Sequence, residues 1–374
     1  MDGDAAPTPK GSQRKSGSWH GWRLVRRTLR GTITVLLIVL VVELVVLPEI
    51  AGPRNALHLL GETNIWLLIA GFVAEGASLF AYTLLTRAVL PQGGPRLWTL
   101  ERINLSTLAV SHVLPGGSLG GAGLGYRLLS ENGVRGADAG VAMATEGAGS
   151  ALVLNAILWV ALLVSLPFQG IHPLYLTGAI VGIILFTSVG LLLGLIVRGE
   201  RRAERWLRAV AVRLPRVDPD RVVQAANRAA RRLRELGSDR RLLGRATGFA
   251  ALNWLLDAAS LWFFLVAFLH RLPNPITLLV AYGLANVLAA IPITPGGLGV
   301  IETVLPLALV GFGIPKGPAT LGVLAWRLVN FWLPIPVGGA AYISLRVGPG
   351  ASRERKMREL ERIATTPSLE RTAD

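Results

Sequence analysis

Apolar residues gather in long blocks separated by short polar stretches. Six blocks, at residues 32–47, 64–89, 137–166, 174–197, 246–269 and 319–345, predict helices that cross a bilayer. The first could pass for a secretory signal, but it lacks a small-x-small cleavage site and precedes further spans, so it reads as an uncleaved helix. Two other stretches, 100–129 and 276–313, each hold an apolar segment, a Pro-Gly-Gly break and a second apolar segment. Proline removes a backbone donor and glycine leaves carbonyls accessible. Broken backbone of this kind persists at membrane depth only where protein or a wet cavity satisfies it. The expected fold is an all-α polytopic membrane protein of about six full transmembrane helices plus two Pro-Gly-Gly broken or re-entrant hairpins.

If each hairpin returns to its own side, the N-terminus, the 198–245 linker and the C-terminal tail share one side of the membrane. Charge agrees: these three segments are Arg-rich and the opposite loops carry few Lys or Arg, as the positive-inside rule requires of cytoplasmic segments. Residues 1–31 read as a disordered basic tail, 32–346 as a transmembrane domain and 347–374 as a second cytoplasmic tail. In the linker, Ala203, Trp206, Leu207, Val210, Ala211 and Leu214 form one stripe among arginines. That pattern predicts an interfacial amphipathic helix facing anionic headgroups. The net charge of +15 could suggest nucleic acid, but Arg flanking hydrophobic spans is a topology signal, and no nucleic-acid partner is expected. The chain has no Cys, which excludes disulfides, thiolate metal sites and Cys nucleophiles. Its five His are dispersed without metal spacing, so neither a metal, another cofactor nor an enzyme activity is expected.

The chain also resembles itself. Glu75-Gly-Ala-Ser-Leu-Phe80 matches Asp257-Ala-Ala-Ser-Leu-Trp262 at an offset of 182 (257 − 75), which also pairs Leu90-Pro91 with Leu272-Pro273 and Asn104 with Asn286. Pro115-Gly116-Gly117 pairs with Pro295-Gly296-Gly297 at an offset of 180 (295 − 115), as Gly133 does with Gly313. The order of features survives a two-residue indel, which identifies a duplication, with repeat one at about 64–166 and repeat two at about 245–345. Three spans and one hairpin separate the repeat starts, so the second copy enters from the opposite side. The repeats are inverted and their hairpins should meet near the midplane.

Ionisable residues inside hydrocarbon mark pathways, pairs or relays. Glu75 and Asp257 occupy equivalent positions and read as ligands of a cationic headgroup or as proton-exchanging groups. Glu146 and Arg327 sit at nearly equivalent places with opposite charge, either paired across the repeat interface or binding opposite charges of a zwitterion. Arg127 follows the first break, where its planar fork suits phosphate oxygens, and Glu302 follows the second. The glycine run after Pro115 lacks the Gly-Lys-Ser/Thr ending of a nucleotide loop. Its glycines fit close packing and free amides at half-helix N-termini, which can face a phosphate. His112, beside the first break, is the one histidine placed to matter. Gly178-xxx-Gly182 and Gly190-xxx-Gly194 read as packing faces suited to a homodimer contact.

Ser111-His-Val-Leu-Pro-Gly-Gly117 and Ile291-Pro-Ile-Thr-Pro-Gly-Gly-Leu-Gly-Val-Ile-Glu302 resemble the lysylphosphatidylglycerol synthase transmembrane-domain family, which is flippase-like. Gly313-Ile-Pro315, Ala325-Trp-Arg327 and Trp332-Leu-Pro-Ile-Pro336 continue the resemblance, and in the first half Arg127-Leu-Leu129, Gly133-Val134 and Glu146 match it. The acidic residue often found near the first hairpin in that family is replaced here by the Gly/Ala run. The resemblance implies translocation of a phosphate-bearing lipid, whether phospholipid, aminoacyl-phospholipid or glycolipid, across a bacterial cytoplasmic membrane, with membrane lipids as partners. The alternatives are a secondary transporter of a small polar solute and a non-transporting membrane partner of a lipid-pathway enzyme. Because the chain lacks cysteine, a single cysteine introduced into the 347–374 tail reports sidedness. In right-side-out vesicles a membrane-impermeant maleimide should label it only after permeabilisation, and labelling of intact vesicles would reverse the expected topology.

Overall fold

Helix boundaries follow local chemistry. Asn64 caps the first helix, α1 (Ile65–Val89), by accepting the Trp66 N–H at 3.0 Å, and Pro91 lies just beyond the Leu90 C-cap. After α2 (Leu97–Val113), α3 (Gly117–Glu131) and α4 (Gly136–Gln169), Asp239 caps α5 (Arg240–Leu269) through the N–H groups of Arg241 and Leu242. Asn274 caps α6 (Pro275–Ala289), whose first residue is a proline that needs no N–H there. A short turn at Pro295–Gly297 leads to α7 (Val300–Gly311), α8 (Lys316–Arg327), a π-helical turn (Leu328–Trp332) and α9 (Pro334–Val347). This computed structural model describes residues 63–91, 94–114, 117–169, 239–269, 271–289 and 294–347, and single positions between 180 and 227. The expected first span, the 174–197 span, the amphipathic linker and both tails lie outside the described residues, as do Pro115 and Gly116.

Among the described residues there are only helices and turns, and four rods are long and apolar enough to cross a membrane: Ile65–Val89, Gly136–Ser165, Arg240–Leu269 and Lys316–Val347. These match four of the expected spans. Hairpin arms are shorter, with 17 and 15 residues in α2 and α3 and 15 and 12 in α6 and α7. At helical rise each covers about 18–26 Å, short of the roughly 30 Å hydrocarbon core, as re-entrant arms should be.

The two repeats meet as an antiparallel, two-fold-like pair. The most extensive contact among the described helices joins their first helices, α1 and α5. Ser78 Oγ donates to the Asn253 carbonyl at 3.0 Å, and Ser260 Oγ donates to the Gly71 carbonyl at 2.8 Å. Under the sequence offset of 182 these are one bond seen twice, since Ser78 corresponds to Ser260 and Gly71 to Asn253. Numbers rise along α1 as they fall along its partner, so the axis relating the repeats lies across the helices. The other strong contacts obey the same exchange: α2 packs on α9 of the opposite repeat, and α6 packs on α4.

Caps and cores repeat as well. Val134 N–H bonds the Leu129 carbonyl around Gly133 at φ 90°, and Ile314 N–H bonds the Leu309 carbonyl around Gly313 at φ 84°, so both hairpins end in the same left-handed glycine cap. Leu100, Ile103, Leu128, Leu129, Val134 and Ala139 sit in one apolar core, and their equivalents Tyr282, Ala285, Ala308, Leu309, Ile314 and Ala319 sit in another. Where α9 crosses α2, a Cβ on Gly338 would overlap the Leu105 carbonyl oxygen. Gly338→Ala should therefore force the helices apart and destabilise the fold by about 1–3 kcal/mol, read as a lowered melting temperature in detergent, whereas Gly339→Ala, which meets nothing within 4 Å, should melt like the parent.

Candidate functional site

Polar side chains from both repeats converge on a cavity of about 500 Å³ between the hairpin tips and the α1–α5 crossing. On α1, Glu75, Ser78, Tyr82 and Thr86 recur at helical spacing and line one wall, while α5 contributes Asn253, Trp254 and Asp257. The third wall comes from the α8 end and the π-helical turn, which supply Arg327 and Asn330. Pro334 and Pro336 lack the N–H groups that would bond Asn330 and Trp332 in an α-helix, and Leu333 N–H reaches back to Leu328 O at 2.9 Å. The widened turn lets Arg327, Asn330 and Phe331 address the cavity region together.

Asp257 is richly served. Tyr282 Oη donates to its Oδ2 at 2.6 Å, Trp326 Nε1 to its Oδ1 at 2.7 Å, and Asn330 Nδ2 to Oδ1 at 3.2 Å. Glu75, only 1% exposed, receives Asn330 Nδ2 on Oε1 at 2.9 Å, and its buried Oε2 has no partner among the described residues. The repeat relation explains the imbalance. The positions equivalent to Tyr282 and Trp326 are Leu100, which has no side-chain donor, and Glu146, which is engaged with Thr86.

Sequence reasoning left Arg327 with two roles, and the structure gives it a third. Its Nε forms an ion pair with Glu302, the two side chains being 2% and 6% exposed, and Nη2 reaches the Gly296 carbonyl at 3.3 Å. Glu302 also accepts the Gly299 N–H at 2.7 Å, capping α7. The Glu146–Arg327 pair, one of the two expected arrangements, is not formed: Arg327 pairs with Glu302, and Glu146 accepts from Thr86 Oγ1 at 2.8 Å. Asn104 donates to that hydroxyl at 2.9 Å and to Thr83 at 3.0 Å. Glu101, on α2, also lines the cavity, with one buried oxygen that has no partner among the described residues.

The hairpin tips do meet, as expected of the inverted halves. His112 Nδ1 bonds the Phe331 carbonyl at 3.0 Å, its ring stacks on Phe331 at 4.2 Å, and Gly296 at φ 56° lies against both rings. A side chain at Gly296 would enter the Phe331 ring, so only glycine fits. Of the other break residues, Gly117 is buried against Ser111 and Gly297 against Ala289, so both serve packing, and Pro295 belongs to the turn. Arg127 is a different matter. It is 61% exposed, bonds Glu131 at 2.8 Å on its own helix and does not line the cavity, so it is not placed to hold a phosphate there.

Among the described residues the lining holds the acids Glu75, Glu101, Glu146 and Asp257 against one cation, Arg327, which Glu302 already neutralises. That balance favours a cationic or hydrogen-bond-donating group over a bare phosphate. Tyr282, Trp326 and Asn330 were not singled out in the sequence. Asn330 had a signal, an uncharged polar residue in the apolar run Leu328-Val-Asn-Phe-Trp332, but Tyr282 and Trp326 look like ordinary core aromatics until the fold brings them to Asp257.

Fold and cavity together define an all-helical membrane protein of inverted repeats with a largely apolar chamber into which a few acidic and amide side chains converge. The family described as the lysylphosphatidylglycerol synthase TM region matches residues 28–338, and the chain belongs to it. A relative described as a UPF0104 membrane protein, from Methanothermobacter thermautotrophicus, is 24% identical over 324 residues, covering 82% of this chain and 94% of its own length.

Breaking a buried ion pair from one side leaves an uncompensated charge. Arg327→Ala should cost about 3–5 kcal/mol, while Arg327→Ala combined with Glu302→Gln should recover a large part of that loss in a double-mutant cycle of melting temperatures. Arg127→Ala should leave the melting temperature close to the parent's.

Proposed function

We propose that this protein translocates an amphiphilic, phosphate-bearing lipid across the cytoplasmic membrane, taking the polar headgroup into the central cavity while the acyl chains stay in the bilayer. The observation that carries the reading is the acid-lined chamber between two inverted repeats, an arrangement from which alternating access is built. Its size, about 500 Å³, falls in the range that encloses a ligand of headgroup dimensions. The four acids lining it favour a headgroup that carries an amine or several hydroxyls, as aminoacyl-phospholipids and glycolipids do. The family's description, the transmembrane region of lysylphosphatidylglycerol synthase, is in keeping with this. The chain acts as a carrier and not as an enzyme, and its partners are the membrane lipids themselves.

Reconstitution tests the reading directly. Proteoliposomes would carry acyl-labelled phosphatidylglycerol, phosphatidylethanolamine or lysyl-phosphatidylglycerol, with leaflet exchange followed by quenching of the outer label. Exchange should exceed that of protein-free vesicles at least tenfold for the amine-bearing headgroups and fall below a tenth of the parent rate in Asp257→Asn. Absence of exchange for every lipid, together with uptake of a small polyamine into the vesicles, would point instead to a solute carrier.

A further inference from the structure

The two central carboxylates are equivalent by repeat and unequal by environment. Asp257 has three donors, which together can hold a carboxylate anion without water. Glu75 lines the cavity with one amide donor, that of Asn330, shared with Asp257, beside the Ser260 hydroxyl, which is given to the Gly71 carbonyl; its second oxygen is buried without a hydrogen-bond partner among the described residues. A bare carboxylate oxygen in a dry interior is costly, whereas a carboxylic acid there carries no charge. We propose that Glu75 is an exchangeable proton site, that it and Asp257 hold one proton between them, and that loading and unloading of this proton drives the repeats between their two openings.

The surroundings bear this out from each packed element. From α5, Asp257 faces Glu75; from α8 and the π-helical turn come Arg327 and Asn330, but Arg327 is held by Glu302 of α7 and supplies no net positive charge. On α6, Tyr282 is committed to Asp257. On α2 and α4 the ionisable groups that line the cavity are His112, Glu101 and Glu146, while Arg102 and Asp138 of the same helices do not line it, and on α1 itself Tyr82 lies two turns from Glu75. With Glu75 and Asp257 both ionised, two adjacent negative charges would stand in low dielectric with no free cation among the described residues. One proton removes that repulsion. Access is also built in. Thr86, Tyr82 and Ser78 descend the cavity face of α1 toward Glu75 over about 16 Å, and Glu146, Asn104 and Glu101 stand beside that row. In the loading step a hydronium ion at the α1–α2 end loses a proton along this row, one of its O–H bonds breaking as an O–H bond forms on the Glu75 carboxylate. In the release step that bond breaks and the proton passes to water on the other side, so charge and atoms balance over a cycle.

Coupling to transport rests on the lipid-translocation reading, but the proton site itself can be measured without any lipid substrate. Infrared difference spectra of the purified full chain, recorded as pH is raised, should show loss of a protonated-carboxyl band. One component of that band should be missing in Glu75→Gln and retained in Glu146→Gln. Should Glu75→Gln fail to fold, Glu75→Asp should shift the same component. Spectra of the Glu75 variants identical to the parent's would overturn the proposal. In proteoliposomes, an imposed pH gradient should change leaflet exchange of acyl-labelled lysyl-phosphatidylglycerol several-fold in the parent and not in Glu75→Gln. Exchange in the parent that ignores the gradient overturns the coupling while lipid translocation stands. The Glu75 band without exchange of any lipid supports the proton site and overturns the lipid reading.

Discussion

Two carboxylates facing each other where α1 crosses α5 set the terms for the rest of the molecule. At that depth a charged oxygen left unmet is costly, and the protein supplies donors to each carboxyl unequally. Tyr282 reaches the crossing from α6, Trp326 from α8 and Asn330 from the π-helical turn. The π turn, enforced by prolines that cannot bond backward, matters because it brings Asn330 between the two acids.

Duplication built the frame and divergence built the site. Paired serine bonds, matching glycine caps and equivalent apolar cores are held in common by both repeats, and they position the helices symmetrically. Function lies in the mismatches. Leu100 opposite Tyr282, and Glu146 opposite Trp326, leave one carboxylate saturated and the other bare. The buried Arg327–Glu302 pair belongs only to the second repeat and ties α8 to the start of α7 beside the hairpin tip. Buried pairs of this kind rarely add much stability over a well-packed apolar pair, so its use is more plainly in fixing the tip's geometry and keeping the arginine's charge out of the cavity balance.

The acid surplus changes which headgroup the cavity suits. Phosphate recognition by Arg127 was a reasonable reading of a planar cation after a glycine break, yet helical geometry puts Glu131 one turn away on the same face and turns both to the surface. Arg327 stayed central but arrived already paired. What remains open to a ligand is carboxylate and amide, with His112 and Phe331 closing the tips.

Long apolar blocks, Pro-Gly-Gly breaks and collinear self-similarity were enough to determine that the chain is an all-helical membrane protein with inverted repeats, and that Glu75 and Asp257 are equivalent. These features are legible because bilayer thickness fixes span length and backbone satisfaction forbids stray breaks. Partner choice was not legible. Whether Arg327 meets Glu146 or Glu302, and whether Trp326 is core or donor, depends on side-chain directions across helices, 25 residues apart in the chain for Arg327 and Glu302 and 69 for Trp326 and Asp257. Only the tertiary structure decides those, because the free energy of a buried polar group is set by the few atoms that touch it and not by its neighbours in sequence.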